Sequence, residues 1–175
     1  PGNFKIQVIP VNASGNEGDA VTSSIIPTDF NAPTASVTNS TASSIVSSNI
    51  TYNITFDQAV NYFTANSVDV TGGSVSGLSG SGKNYTLIVS PNSDSEGNIT
   101  ISIPEGGAKD SSSNSNEAFT NSDQKFDTKA PTITNVSKVG ANVVNGKVTG
   151  TMDFRIDFSE AGIANFTASD VAFSS

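Results

Sequence analysis

Asp29-Phe-Asn-Ala-Pro-Thr34 returns as Asp127-Thr-Lys-Ala-Pro-Thr132, and Ile54-Thr-Phe56 followed by Phe63-Thr-Ala65 returns as Ile156-Asp-Phe158 followed by Phe166-Thr-Ala168. Gly2-Asn-Phe-Lys-Ile-Gln-Val8 likewise corresponds to Gly97-Asn-Ile-Thr-Ile-Ser-Ile103. A repeat period of roughly one hundred residues is too long for a solenoid unit, which must stack on neighbours to bury a core, and suits a module that folds by itself. The copies run out of phase with the ends of the chain. Residues 1–31 are therefore expected to be the late part of one module, residues 32–130 a complete module, and residues 131–175 the early part of a third. A sandwich cut after two or three strands leaves its apolar face open to water, so the outer segments are expected to need strands from a continuing chain or from neighbouring molecules.

Alternation supplies the local structure. Ile50, Tyr52, Ile54 and Phe56 share one face while Thr51, Asn53, Thr55 and Asp57 take the other, the period-two pattern of a half-buried strand. Met152, Phe154, Ile156 and Phe158 repeat it. Ile99, Ile101 and Ile103, matched by Phe4, Ile6 and Val8, predict a second strand, and Tyr85, Leu87 and Val89 a third. Gly72-Gly73, Gly80-Ser-Gly82, Pro91-Asn-Ser-Asp94 and Gly106-Gly107 punctuate these runs as turns do in an antiparallel fold. No stretch carries a helical period. The middle module is expected to hold about seven strands, starting near residues 35, 50, 67, 74, 84, 97 and 118. The chain is thus predicted to be all-β: tandem immunoglobulin-like antiparallel sandwiches arranged end to end.

Composition narrows the function classes. Hydrophobic residues make up 35% and charged residues 14%, while Asn, Ser and Thr exceed a third of the chain, which allows a sandwich core beneath an uncharged polar exterior. The formal net charge of -8 offers no basic patch to phosphates or anionic lipids, so no nucleic-acid partner and no membrane insertion are expected. No apolar run approaches a membrane span. With no His and no Cys the usual acid-base and nucleophilic arrangements are missing, so the chain is not expected to be an enzyme. Asp94 with Glu96, or Asp157 with Glu160, would be the available carboxylate pairs, but both fall in predicted surface turns.

The order of these elements carries a resemblance. A strand spanning Ile54 to Ala59 is followed by Phe63-Thr-Ala65, Gly72-Gly73, Tyr85 to Leu87, Gly97 to Ile101, Asp110 to Asn116, and Asp127 to Thr132. This succession resembles the bacterial Ig-like repeats of large secreted adhesins of the biofilm and gliding type, over the whole chain. The resemblance implies an extracellular or cell-surface rod of many such modules. One position departs from the pattern: the third copy has Ala168-Ser-Asp170-Val171, whereas the middle copy has Ala65-Asn-Ser67-Val68 and lacks the Asp.

Acidic residues are expected to gather at the module junctions. The predicted topology brings Asp94 and Glu96 near Asp127 at one pole, with Asp157 and Glu160 facing them from the third module, and places Asp57 and Asp110 near Asp29 at the other. Oxygen ligands without nitrogen or sulfur suit calcium, so these residues are candidate inter-repeat calcium ligands. The alternative is that Asp29 and Asp127 cap turns through Asx hydrogen bonds ahead of a proline.

Ala32-Pro33 and Ala130-Pro131 join successive modules with little slack, and proline holds the residue before it extended. The expected function is a spacer that projects a distal binding domain from a cell surface, with adjacent repeats of the same chain as its contacts and any carbohydrate or surface ligand taken by domains elsewhere. The rival expectation is a repeat that itself binds carbohydrate, or that assembles into a filament through edge-strand pairing. Sugar platforms want exposed aromatics. There is no Trp, and of the three Tyr only Tyr62 falls off a predicted core face.

Overall fold

The computed structural model describes residues 2–41 and 43–174, with no side-chain surroundings for residues 26, 27, 122 and 123. The chain divides into two units, Pro1–Thr128 and Lys129–Ser175.

In the first unit, β1 (Gly2–Phe4), β2 (Gln7–Val8), β3 (Val21–Thr22) and β4 (Ile26–Thr28) form two short antiparallel ladders, β1 with β4 and β2 with β3. The sandwich follows: β5 (Ala35–Asn39), β6 (Ile45–Val46), β7 (Ile50–Val60), β8 (Asp69–Thr71), β9 (Gly73–Pro91), β10 (Glu96–Ile103) and β11 (Phe119–Asp127). One sheet has the order β5-β7-β9 and the other β6-β11-β10-β8.

β9 is a hairpin, not one long strand. A straight strand would set Gly73 and Ser90 about 55 Å apart at ~3.3 Å per residue. Instead, a Cβ on Gly73 would lie 2.5 Å from the Ser90 carbonyl oxygen, and Ser76 Oγ donates to the Ile88 carbonyl at 3.1 Å. The chain turns at Gly80-Ser-Gly82, where both glycines have positive φ, 121° and 64°. The second arm pairs with β7, from Ile50 opposite Val89 to Val60 opposite Gly82. The strands expected near residues 74 and 84 are therefore the two arms of this hairpin. The strand expected near 67 begins slightly later, because Ala65–Ser67 closes a 3-10 turn first. β6, paired in parallel with β11, is the addition.

The core follows the alternation. Ile50, Tyr52, Ile54 and Phe56 on β7 are buried against Ile99, Ile101 and Ile103 on β10, with Leu87 and Val89 beside them. Each such aliphatic side chain contributes about 1.5–3 kcal/mol relative to exposure. Phe56, Phe63 and Tyr85 close one end of the core as an edge-to-face trio with centroids 4.9 to 6.1 Å apart. The corresponding residues of the N-terminal segment behave differently: Phe4, Ile6 and Val8 are exposed.

Strand directions place the two ends of the sandwich at opposite poles. Ala35 opens β5 opposite Phe56, and Glu117 N–H donates to the Pro33 carbonyl at 2.9 Å just before β11. β11 then runs the length of β10, from Phe119 opposite Ile103 to Asp127 opposite Glu96. The chain leaves about 25 Å from where it came in, the span of an eight-residue strand.

The second unit is a hairpin of β12 (Ile133–Val144) and β13 (Lys147–Phe158), closed by Asn145-Gly146 with φ of 49° and 76°. Both positive angles are what a type I′ turn requires, and Asn-Gly is its preferred pair. A 3-10 turn follows at Ala168–Asp170. Met152 and Phe154, which correspond to the buried Ile50 and Tyr52, are exposed in this unit. Among the described residues no helix is long and apolar enough to cross a membrane.

Candidate functional site

The pole where the chain joins the sandwich is organised by side-chain to backbone bonds. Pro33 is buried, and Thr34 N–H donates to Asp57 Oδ1 at 2.9 Å while Asp57 N–H returns a bond to the Thr34 carbonyl at 3.1 Å. Gln58 Nε2 donates to the Asn31 carbonyl at 2.9 Å. Asp29 Oδ1 accepts from Asn31 N–H at 3.1 Å, the Asx turn ahead of the proline that the alternative reading anticipated. Asn114 Nδ2 reaches from the loop before β11 to the Asp29 carbonyl at 2.9 Å.

That loop is itself braced by two buried polar residues. Asp110 Oδ1 accepts from the N–H groups of Ser112 and Asn114, both at 2.8 Å, and Asp110 Oδ2 accepts from Asn114 Nδ2 at 2.8 Å. Asn116, fully buried, accepts from Ala108 N–H at 2.7 Å and donates to the carbonyls of Pro104 and Glu117 at 3.0 and 2.8 Å. Neither residue is spare. Both bond with backbone that no strand satisfies.

These contacts tune the acids. The Asp57 carboxyl lies below its ordinary value chiefly because the Thr34 N–H favours its charged form, against a smaller opposing effect of desolvation. At Asp110 desolvation pushes upward, but the hydrogen bonds from Asn114, Ser112 and Ser113 together outweigh it and the carboxyl is again held low. Asp157 is held low by Arg155, whose Nε lies 2.6 Å from Oδ1, and by Asn135 at 3.1 Å.

The structure thus gathers Asp29, Asp57 and Asp110 at one pole, held through separate backbone contacts. At the other pole Glu96 sits opposite Asp127 across β10 and β11, and Asp94 occupies the preceding turn at φ 49°. There Thr128 ties the departing chain, its Oγ1 donating to the Asn92 carbonyl at 2.6 Å and accepting from Ser95 N–H at 3.1 Å. In the second unit Asp157 is engaged as above, and Glu160 follows β13 in a bend. Among the described residues no group of three or more acidic side chains lies close enough together to hold a metal ion. Calcium would thus need backbone carbonyls or water for most of its shell.

The position where the middle copy lacks an Asp has a structural role. Asp170 Oδ2 accepts from Thr167 N–H at 2.8 Å at the start of the second 3-10 turn, and Ser67 Oγ accepts from Thr64 N–H at 3.2 Å in the first. Serine substitutes for the carboxylate as a cap. Asn114, Asn116 and Thr128, which hold the poles together, were not singled out by sequence reasoning. The one signal was their place in the Asp110 to Asn116 and Asp127 to Thr132 motifs.

Comparison with known proteins bears on the sandwich. The sequence profile described as a bacterial Ig-like domain matches residues 29–125. That span starts at the Asx turn of Asp29 and ends within β11. No match was found among curated proteins. None was found among solved structures either.

Proposed function

The chain belongs to the bacterial Ig-like domain family, and from the placement of its chain ends we propose that it is a non-catalytic spacer within a bacterial extracellular adhesin, holding a distal binding domain away from the cell surface. The single observation that carries this reading is the separation of Pro33 and Thr128 to opposite poles, each tied to the sandwich by hydrogen bonds. A module joined through such ends lengthens an array with each copy and does not fold it back.

Recurrence of the contacts supports a tandem array. Thr132 N–H donates to Ser159 Oγ at 3.0 Å and Ser159 N–H donates to the Thr132 carbonyl at 2.8 Å, repeating the Thr34 and Asp57 clamp. Phe158 and Phe166 meet edge-to-face at 5.2 Å, as Phe56 and Phe63 do at 5.1 Å. The start of each copy is thus fastened to its own module in the same way, and the Ala-Pro link ahead of it is short.

Small-angle scattering on polypeptides of two, four and six consecutive copies tests the reading. The maximum dimension should rise by about 35–45 Å per copy, the length of a sandwich with its loops. Growth as the cube root of copy number, as for a compact particle, would sink it.

A further inference from the structure

Tyr62 stands in the left-handed region at φ 63°, between β7 and the first 3-10 turn. A bulky side chain seldom takes this conformation, because its Cβ crowds the neighbouring carbonyl. In the third copy the residue immediately before the Phe of Phe-Thr-Ala is Asn165, at φ 62°. The loop itself therefore demands the conformation, and Asn is among the few residues that tolerate it. Tyr62 gains no packing in return, being 82% exposed, whereas Tyr52 and Tyr85 are buried in the core. A strained aromatic held in water, where the other copy carries a polar residue suited to the turn, calls for a role outside folding.

Tyr62 lines an open surface cleft of about 690 Å³. Asn66, Pro104, Glu105, Lys109 and Ser113 are among its other lining residues. The side chains of Tyr62, Asn66, Glu105 and Lys109 make no hydrogen bond or ion pair among the described residues. A few positions away Asp110, Asn114 and Asn116 are fully engaged. The cleft thus offers one aromatic face, free donors and acceptors around it, and one charge of each sign.

We propose that this cleft is a saccharide subsite that takes a neutral hexose unit, its C–H face against the Tyr62 ring and its hydroxyls toward Asn66, Glu105 and Lys109. A sugar ring has the matching amphipathy, an apolar face with a polar rim. The balanced charge of Glu105 and Lys109 favours a neutral ligand over an anionic one. A protein partner fits less well, because docking surfaces need a contiguous apolar centre and Tyr62 is the only large apolar side chain on the cleft. The subsite is independent of the spacer reading, since a spacer needs no ligand.

Titration of the full chain with neutral gluco-, manno- and galacto-hexasaccharides, followed by saturation-transfer NMR and by tyrosine fluorescence, tests the proposal. At least one hexasaccharide should bind with a dissociation constant below about 10 mM, and Tyr62→Asn should weaken it at least about tenfold while the unfolding midpoint stays equal or rises. Tyr62→Phe, which keeps the ring, should bind within about threefold of wild type. Absence of binding by all three sugars, or binding undiminished in Tyr62→Asn, overturns it. So does a fluorescence change that follows protein concentration without sugar, which would assign Tyr62 to a protein contact.

Discussion

Asn114 Nδ2 donates to the backbone carbonyl of Asp29 across 85 residues of sequence, at 2.9 Å. The same amide group bonds Asp110 Oδ2, so one side chain ties the incoming chain to the loop that precedes the last strand. In Asn114→Ala the module should stay folded, because Asn114 is only half-buried, in the loop before β11. The local opening of residues 29–34 should become easier by about 1 kcal/mol, the worth of one such hydrogen bond. Hydrogen exchange of the Asn31 and Thr34 amides should then quicken about fivefold with the β7 amides unchanged. Equal acceleration throughout would show that Asn114 supports the whole sandwich.

Asn116 presents a harder case for substitution. It is fully buried and bonds three backbone groups of its own loop. Asn116→Ala leaves the buried Ala108 N–H without a partner, while the Pro104 and Glu117 carbonyls belong to exposed residues and the first keeps the Gly107 N–H at 3.2 Å. A loss of about 2 kcal/mol is expected, since one buried unsatisfied group costs ~1–3 kcal/mol. Urea denaturation should show a lower midpoint with an unchanged slope. A loss under about 0.5 kcal/mol would mean that the loop repacks freely.

Acid should weaken the sandwich through Asp57 and Asp110. Both carboxyls are held below their ordinary value of 3.8 when folded. At low pH the unfolded chain then takes up protons that the native state refuses. The stability they confer is complete above about pH 4 to 5 and drains away as pH falls through the folded values. Denaturation midpoints should be flat from about pH 7 to 5 and fall below about 4, and the double variant Asp57→Asn, Asp110→Asn should flatten that acid limb. An acid limb as steep in the double variant as in wild type would assign it to other groups.

The core was legible in the sequence because period two survives translation into a sandwich: every residue named on the Ile50 to Phe56 face is buried. The polar loops were not. Asn114 and Asn116 stand out only as positions of the Asp110 to Asn116 motif, and which backbone groups they bond follows from the folded loop and, for Asn114, from the approach of Asp29. β6 is two residues long and too short to show alternation. The hydrogen bonds of Asp57 and Asp110 to Thr34, Ser112 and Asn114 depend on backbone directions that no residue pattern encodes. The exposed Phe4 and Phe154 show the converse limit, in that alternation marks a face as apolar without supplying what covers it.

The turn of β9 separates two kinds of glycine requirement. Gly80 has φ 121°, and a Cβ there would lie 2.3 Å from the Asn84 carbonyl oxygen and 2.7 Å from Tyr85 Cα. Gly82 has φ 64° with nothing within 4 Å of its virtual Cβ. Gly82→Ala therefore meets only the left-handed penalty, about 1 kcal/mol. Gly80→Ala meets a backbone collision as well, and relief requires the hairpin to open or slip its register, which would displace Tyr85 from its contacts with Phe56 and Phe63. Its cost should reach about 3 kcal/mol or more. Thermal unfolding of the two variants side by side decides the matter, with Gly80→Ala expected to fall at least twice as far. Equal losses would mean that φ alone, and not the close approach of the two arms, dictates glycine at this turn.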